Sequence, residues 1–235
     1  MNYINRRKKA GENMQEMSVF DIIGPNMIGP SSSHTAGALK IALLAGRLID
    51  GKIMKAEFTL YGSFAETYQG HGTDKALVAG ILGFGTEDTR IKYSFEFAKK
   101  NGLEYRFVLN KTEKDVHPNT VDIKLYTQDN EITLVRGISI GGGNCKVEKI
   151  NDIEVSLTGN YNTILVRQKD TFGVVAQITK VLSENQINIA FMRLYRENKG
   201  QLAYTIIEVD QPIPKAIAGK LKELPNIETV NIISI

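Results

Sequence analysis

Apolar positions along the first half of the chain recur at two periods. Ala38, Ile41, Ala42, Ala45, Leu48 and Ile49 fall at helix spacing after a serine-rich stretch. They predict a helix with Ser32 or Ser33 as N-cap and Gly51 as C-terminal cap. Residues 55–61 alternate as a strand stopped by Gly62. Residues 63–82 read as helical, interrupted by GHGTD, with Asp74 placed to cap the second half. Residues 91–101 predict a further helix closed by Gly102. Residues 104–109 read as a strand, and 121–126 with 131–140 as a hairpin around Asp129-Asn130. After three glycines at 141–143, strands are predicted at 145–150 and 153–157.

The organisation changes at Thr158-Gly159-Asn160. A strand at 163–167 and a turn at 170–173 precede a helical stripe of Val174, Val175, Ile178, Val181 and Leu182. Strands at 187–196 and 201–209 flank a turn at 198–200. A helix at 214–223, with Pro214 near its first turn, leads to a last strand at 227–233. The order is βαββαβ, the ferredoxin-like arrangement. The chain therefore reads as an α/β protein of the α+β kind: a tail at 1–17, ordered structure from about Ser18, a first domain at 18–158 and a second at 161–235.

A length of 235 residues suits two domains. A hydrophobic share of 42% and a charged share of 23% are ordinary for a folded protein. The net charge is +3, and Arg6, Arg7, Lys8 and Lys9 against Glu12 and Glu16 place most of it in the tail. Little basic excess is left for a nucleic-acid face. No apolar run approaches the ~20 residues needed to cross a bilayer, and the polar residues after the basic start do not form a signal peptide. A single cysteine, Cys145, excludes an internal disulfide framework, fits a reducing compartment, and excludes a cluster or zinc site built from several thiolates of this chain.

The three histidines each lie in a loop signature: His34 in GPSSSHT, His71 in GHGTD and His117 in VHPNT. Loops on a rigid scaffold concentrate chemistry, and histidine titrates near neutral pH. Together they predict one polar site. A serine-rich turn opening a helix offers free N–H groups and a positive dipole end, which suits a carboxylate or phosphate. Ser31, Ser32, Ser33 and Thr35 add hydroxyls, and His34 a group able to move a proton; the plainer alternative is a helix cap beside a surface histidine. In GHGTD, Gly70 and Gly72 permit close approach or positive φ, and Asp74 either orients His71 or caps a helix. In VHPNT, Pro118 stiffens the loop, or the segment is an ordinary turn before a strand. Cys145 reads first as a small buried hydrophobe and the glycines 141–143 as a bulge or tight bend. No dinucleotide fingerprint, P-loop, nucleophile elbow or zinc-protease motif occurs.

SVFDIIGPNMIGPSSSHTAGALKIA, GHGTDKALVAGILG and HPNT closely resemble the β chains of the iron–sulfur-dependent L-serine dehydratases. Residues 161–235, with DTFGVVAQI, resemble an ACT domain, a small ligand-binding regulatory module. The first domain is similar also to the allosteric substrate-binding domain of some phosphoglycerate dehydrogenases. The resemblance implies conversion of L-serine to pyruvate and ammonia without pyridoxal phosphate. It implies a four-iron four-sulfur cluster held by a separate α chain and not by this one, one iron acting as a Lewis acid. One cysteine, and an end directly after the ACT-like region, match the two-chain form. The chain is then expected to be cytoplasmic and inactive without its α partner. On this reading Ser31, Ser32, Ser33 and Thr35 hold the serine carboxylate, with Thr73, Asp74 and Asn119 as further substrate-binding candidates. His34, His71 and His117 supply proton transfer or hydrogen bonds, and none ligates metal. For the ACT region it implies an amino-acid effector, L-serine being the obvious candidate, between two such domains. Asp170, Gly173, Val174 and Asn188 are the positions expected to bind it, unless the module only pairs two copies. The rival reading is a stand-alone regulatory module that binds serine or another hydroxy acid without chemistry.

Overall fold

The computed structural model describes residues 27–196, 198–214 and 216–234. The tail at 1–17 and the expected start near Ser18 lie outside these. Six strands, β1 (Ile53–Tyr61), β2 (Glu104–Asn110), β3 (Thr120–Thr127), β4 (Ile132–Gly141), β5 (Asn144–Ile150) and β6 (Ile153–Leu157), form a sheet in the order β2-β1-β3-β4-β5-β6. β1 and β2 are parallel and the other neighbours antiparallel. A parallel pair needs a crossover, here made by α2 (Gly62–Thr67), α3 (Thr73–Ile81) and α4 (Ser94–Asn101). Alternation gives the sheet two faces. Ala56, Phe58, Leu60, Val121, Ile123, Leu125 and Val135 are buried in the main core with α1 (Ala38–Arg47). Off that core, Glu57 is paired with Lys55 and Arg106, and Asp122 with Arg136.

Of the stripe predicted for α1, Ala38, Ile41, Ala42 and Ala45 are fully buried and Leu48 buried, while Ile49 is only partly so; Leu39 and Leu44, outside the predicted stripe, are buried too. α1 and α3 approach so closely that a Cβ on Gly80 would lie 2.4 Å from the Leu39 carbonyl oxygen. Four local expectations are corrected. Before α1 the chain forms a π-helical turn, Ser32–Gly37, capped by Ser31 rather than by Ser32 or Ser33. Ser31 is extended and its Oγ accepts the His34 N–H, while Ser32 and Ser33 are already inside the coil. At the other end α1 closes on Leu48, and Gly51 lies in the turn beyond. α3 starts from Gly72, whose φ of 68° takes the cap position given to Asp74. The predicted helix at 91–101 is a 3₁₀ turn, Thr89–Tyr93, followed by α4, which Gly102 closes as expected.

The second unit has β7 (Asn162–Lys169), α5 (Val174–Glu184), β8 (Ile189–Arg196), β9 (Leu202–Val209), α6 (Ala216–Lys222) and β10 (Ile227–Ile233). Its antiparallel sheet has the order β10-β7-β9-β8, the ferredoxin-like order expected. Ile164, Val166 and Ile207 bury one face under Val174, Ile178 and Leu182 of α5 and Ile217 and Leu221 of α6. Leu165, Tyr204, Ile206 and Ile233 instead join the core of the first domain. Across the same seam Arg47 donates to the Ser234 carbonyl at 2.5 Å, and Lys222 pairs with Asp50 at 3.0 Å.

Candidate functional site

The end of the first sheet where β1 and β4 finish and β3 begins carries the polar cluster. β1 runs directly into α2, so Ser63 is placed at the strand end. The HPNT loop enters β3 beside it, with the Phe64 N–H donating to the Pro118 carbonyl at 3.3 Å. The serine turn closes over this end. Gly37 lies against Ser139 of β4, where a Cβ would meet Ser139 Oγ at 2.1 Å.

His34 is half-buried at the centre. Its Nε2 lies 2.9 Å from Ser63 Oγ and its Nδ1 3.4 Å from Ser31 Oγ. Its ring meets the His71 ring edge-on at 4.7 Å and the Phe64 ring at 5.3 Å. Burial first, and then the nearby His71, hold its pKa below the ordinary value, which favours a neutral imidazole. Thr35 Oγ1 donates to the His71 carbonyl at 2.9 Å, tying the first two loops together. The Ser32 and Ser33 hydroxyls have no partner among the described residues.

His34 and His71 are thus brought together as predicted, with Ser31 and Thr35 beside them. His117 is exposed, and its Nδ1 accepts the Asn119 N–H of its own loop at 3.1 Å. Only its loop, through Pro118, joins the cluster. Asp74 does not orient His71: its Oδ1 accepts the Lys75 N–H at 2.7 Å, and burial raises its carboxyl pKa. His71 Nδ1, Thr73 Oγ1, Asn119 Oδ1 and Ser139 Oγ are buried and have no hydrogen-bond partner among the described residues. Leaving such groups unpaired is costly, so each is open to a further partner. Ser63 and Ser139 were missed in the sequence. Ser63 carried a usable signal, as the first hydroxyl after a strand ending in glycine; Ser139 looked like any strand residue.

The chain's own donors do not fit an iron–sulfur cluster. Cys145 is buried, which pushes its thiol up to about 11 and disfavours the thiolate a cluster needs. Among the described residues no group of three or more His, Cys, Asp or Glu side chains could hold a metal ion. In the second unit, Asp170 accepts the Gly200 N–H at 3.0 Å and faces Arg196 at 3.4 Å, at the far end of β8. Gly173, with φ 82°, opens α5, and Val174 is buried. Asn188 precedes the near end of β8 and contacts Asp210 at 3.4 Å. A single chain does not bring Asn188 to Asp170.

Residues 18–150 match the serine dehydratase beta chain family and residues 162–226 the ACT domain family. The chain is 45% identical to the "Probable L-serine dehydratase, beta chain" of Bacillus subtilis (strain 168), covering 94% of this chain and 100% of that one. It is 38% identical to the "L-serine dehydratase, beta chain" of Peptoniphilus asaccharolyticus, again over 94% and 100%. A D-3-phosphoglycerate dehydrogenase of Bacillus subtilis is 25% identical over 68% of this chain and 30% of its own length. Among the described residues no helix is long and apolar enough to cross a membrane.

Proposed function

The chain belongs to the serine dehydratase beta chain family and carries an ACT domain, and on that premise we propose that it is the β subunit of an iron–sulfur-dependent L-serine dehydratase. With a cluster-bearing α chain it converts L-serine to pyruvate and ammonia in the cytoplasm, without pyridoxal phosphate. A lone buried cysteine and the absence of a metal-holding group among the described residues support assigning the cluster to the partner.

The observation that carries the reading is the His34–His71 pair at 4.7 Å under the serine turn. This chain's share is to hold the substrate and move a proton. The unpartnered hydroxyls of Ser32 and Ser33, with the free N–H groups of the turn, suit the serine carboxylate. Ser31 and Thr35 fix the turn. His34, kept neutral by its half-buried setting, is suited to accept the α-proton while Ser63 and Ser31 hold its ring. The unpaired atoms of His71, Thr73 and Asn119 remain for substrate or for the α chain. Asp74 is turned to the Lys75 N–H rather than to His71. His117 stands at the rim facing outward, where the α chain would meet it. For the ACT domain, an amino-acid effector touching Asp170, Gly173 and Val174 of one copy and Asn188 of another would bridge two chains.

The test is anaerobic serine deamination by this chain, by a cluster-loaded candidate α chain, and by their mixture. Pyruvate is expected from the mixture alone, and loss of at least a hundredfold with His34→Ala, on the scale of general acid–base catalysis. Unchanged circular dichroism and complex formation by that variant would separate chemistry from folding. No pyruvate from a mixture with an intact cluster favours a purely regulatory module.

A further inference from the structure

The seam between the two units holds an open pocket of about 220 Å³, whose lining includes neither the serine turn nor the ACT loop. Its floor comes from the end of α1 (Leu48, Ile49, Asp50), the β3–β4 hairpin (Glu131) and the β5–β6 turn (Asn151). Its roof is the second sheet. Tyr204, Arg167 and Thr229 are cross-strand neighbours in one row, and Leu165 and Asn231 lie in the next. Neighbours in a row share a face, so the register delivers a guanidinium, a phenol, a hydroxyl and an amide to one side.

A seam needed only for packing would be lined by apolar groups, because buried polar groups must find partners. Here they are underused. Arg167 Nε is buried and has no hydrogen bond among the described residues, although Glu228 Oε2 lies 3.0 Å away as an ion pair. The Tyr204 hydroxyl, in a residue only 4% exposed, has a single long contact with Asn151 Nδ2 at 3.4 Å. Asn151 cannot swing away: its N–H donates to the Leu134 carbonyl at 2.7 Å and its Oδ1 accepts the Leu134 N–H at 2.9 Å. Arg167, Tyr204 and Asn151 thus line the same pocket as two carboxylates, Glu131 and Asp50, the latter also paired with Lys222 at 3.0 Å. A guanidinium fork is matched to a carboxylate, and carboxylates to an ammonium. A cavity of roughly 150 Å³ already takes benzene, so this one admits a solute of a few heavy atoms more.

We propose that the interdomain cavity is a second small-molecule site that binds a small α-amino acid as its zwitterion, carboxylate to Arg167 and Tyr204 and ammonium to Asp50 and Glu131. The site does not depend on the dehydratase reading, since it needs neither the cluster nor the histidines.

The test is calorimetric titration of the whole chain with L-serine, L-alanine, L-lactate and ethanolamine, with Asp170→Asn in place to weaken binding at the ACT loop. L-Serine or L-alanine is expected to bind saturably, and lactate and ethanolamine, each lacking one charge, at least tenfold more weakly. Arg167→Gln is expected to weaken the amino acid at least tenfold, and the gentler Tyr204→Phe severalfold, with the thermal midpoint recorded for each variant. Absence of saturable binding by all four compounds, or an affinity that ignores Arg167→Gln in a folded variant, would mean a hydrated seam only and overturn the proposal.

Discussion

Gly37 shows how one missing side chain sets the site. Ser139 Oγ occupies the space a Cβ would need, so the serine turn and β4 touch backbone to side chain. Gly37→Ala forces one of them to move, at about 1–3 kcal/mol for an overpacked interior. Urea denaturation should show that loss, and Ser139→Gly should recover part of it; equal stability of Gly37→Ala and the parent would sink the argument. Cys145 makes a second case. Buried and raised to about 11, it should resist a thiol reagent at pH 8 in the native protein and react fully in denaturant. His34 sets a pH dependence. Its folded pKa lies below the ordinary 6.5, so the folded state binds the proton more weakly than the unfolded chain. Its contribution to stability is complete above 6.5 and is lost as pH falls through the depressed folded value. In a ring-proton NMR titration His71→Gln should move His34 part of the way back up, since burial, the larger cause, remains.

At the scale of elements, Ser31 fastens the π-helical turn that aims His34. Ser31→Ala removes an N-cap worth about 1 kcal/mol, and it frees one side of the His34 ring. Serine turnover in the reconstituted mixture should therefore fall by more than stability alone accounts for; turnover equal to the parent would show that the ring needs no such restraint. Most elements were legible because periodicity reports which face is buried: the α1 stripe, the hairpin at Asp129-Asn130 and the βαββαβ order all read directly. The meeting of His34 with His71 was foreshadowed by two glycine- and serine-rich loops. The π-helical winding was not legible, because serine spacing does not distinguish five-residue from four-residue hydrogen bonding. Nor was the outward turn of His117, which depends on an N–H within its own loop. Ser139 was hidden because its role comes from the register of β4 against Gly37, a contact far apart in sequence. The face of the second sheet that meets α1 was equally silent, since Leu165 and Tyr204 read as strand residues whatever they pack on.

At the scale of the molecule, the boundary near residue 160 separates two folds but not two cores. Leu165, Tyr204, Ile206 and Ile233 pack with Leu44, Leu48 and Ile150 of the first unit. A chain ending at residue 158 would expose that apolar patch, and it should unfold at lower denaturant than the whole protein or aggregate. The whole chain should melt in one transition by both tyrosine fluorescence and circular dichroism, and two separated transitions would show the units to be independent. The four-stranded sheet has thereby committed both faces, one to α5 and α6 and the other to the first unit. Its β10 side runs alongside α1, whose Arg47 reaches the Ser234 carbonyl. The outer edge of β8, with Phe191 46% and Leu194 45% exposed, is what remains for extension. Two copies joined there across a twofold axis would consume the edge each offers, so growth by sheet extension closes at a pair and cannot run on into a filament.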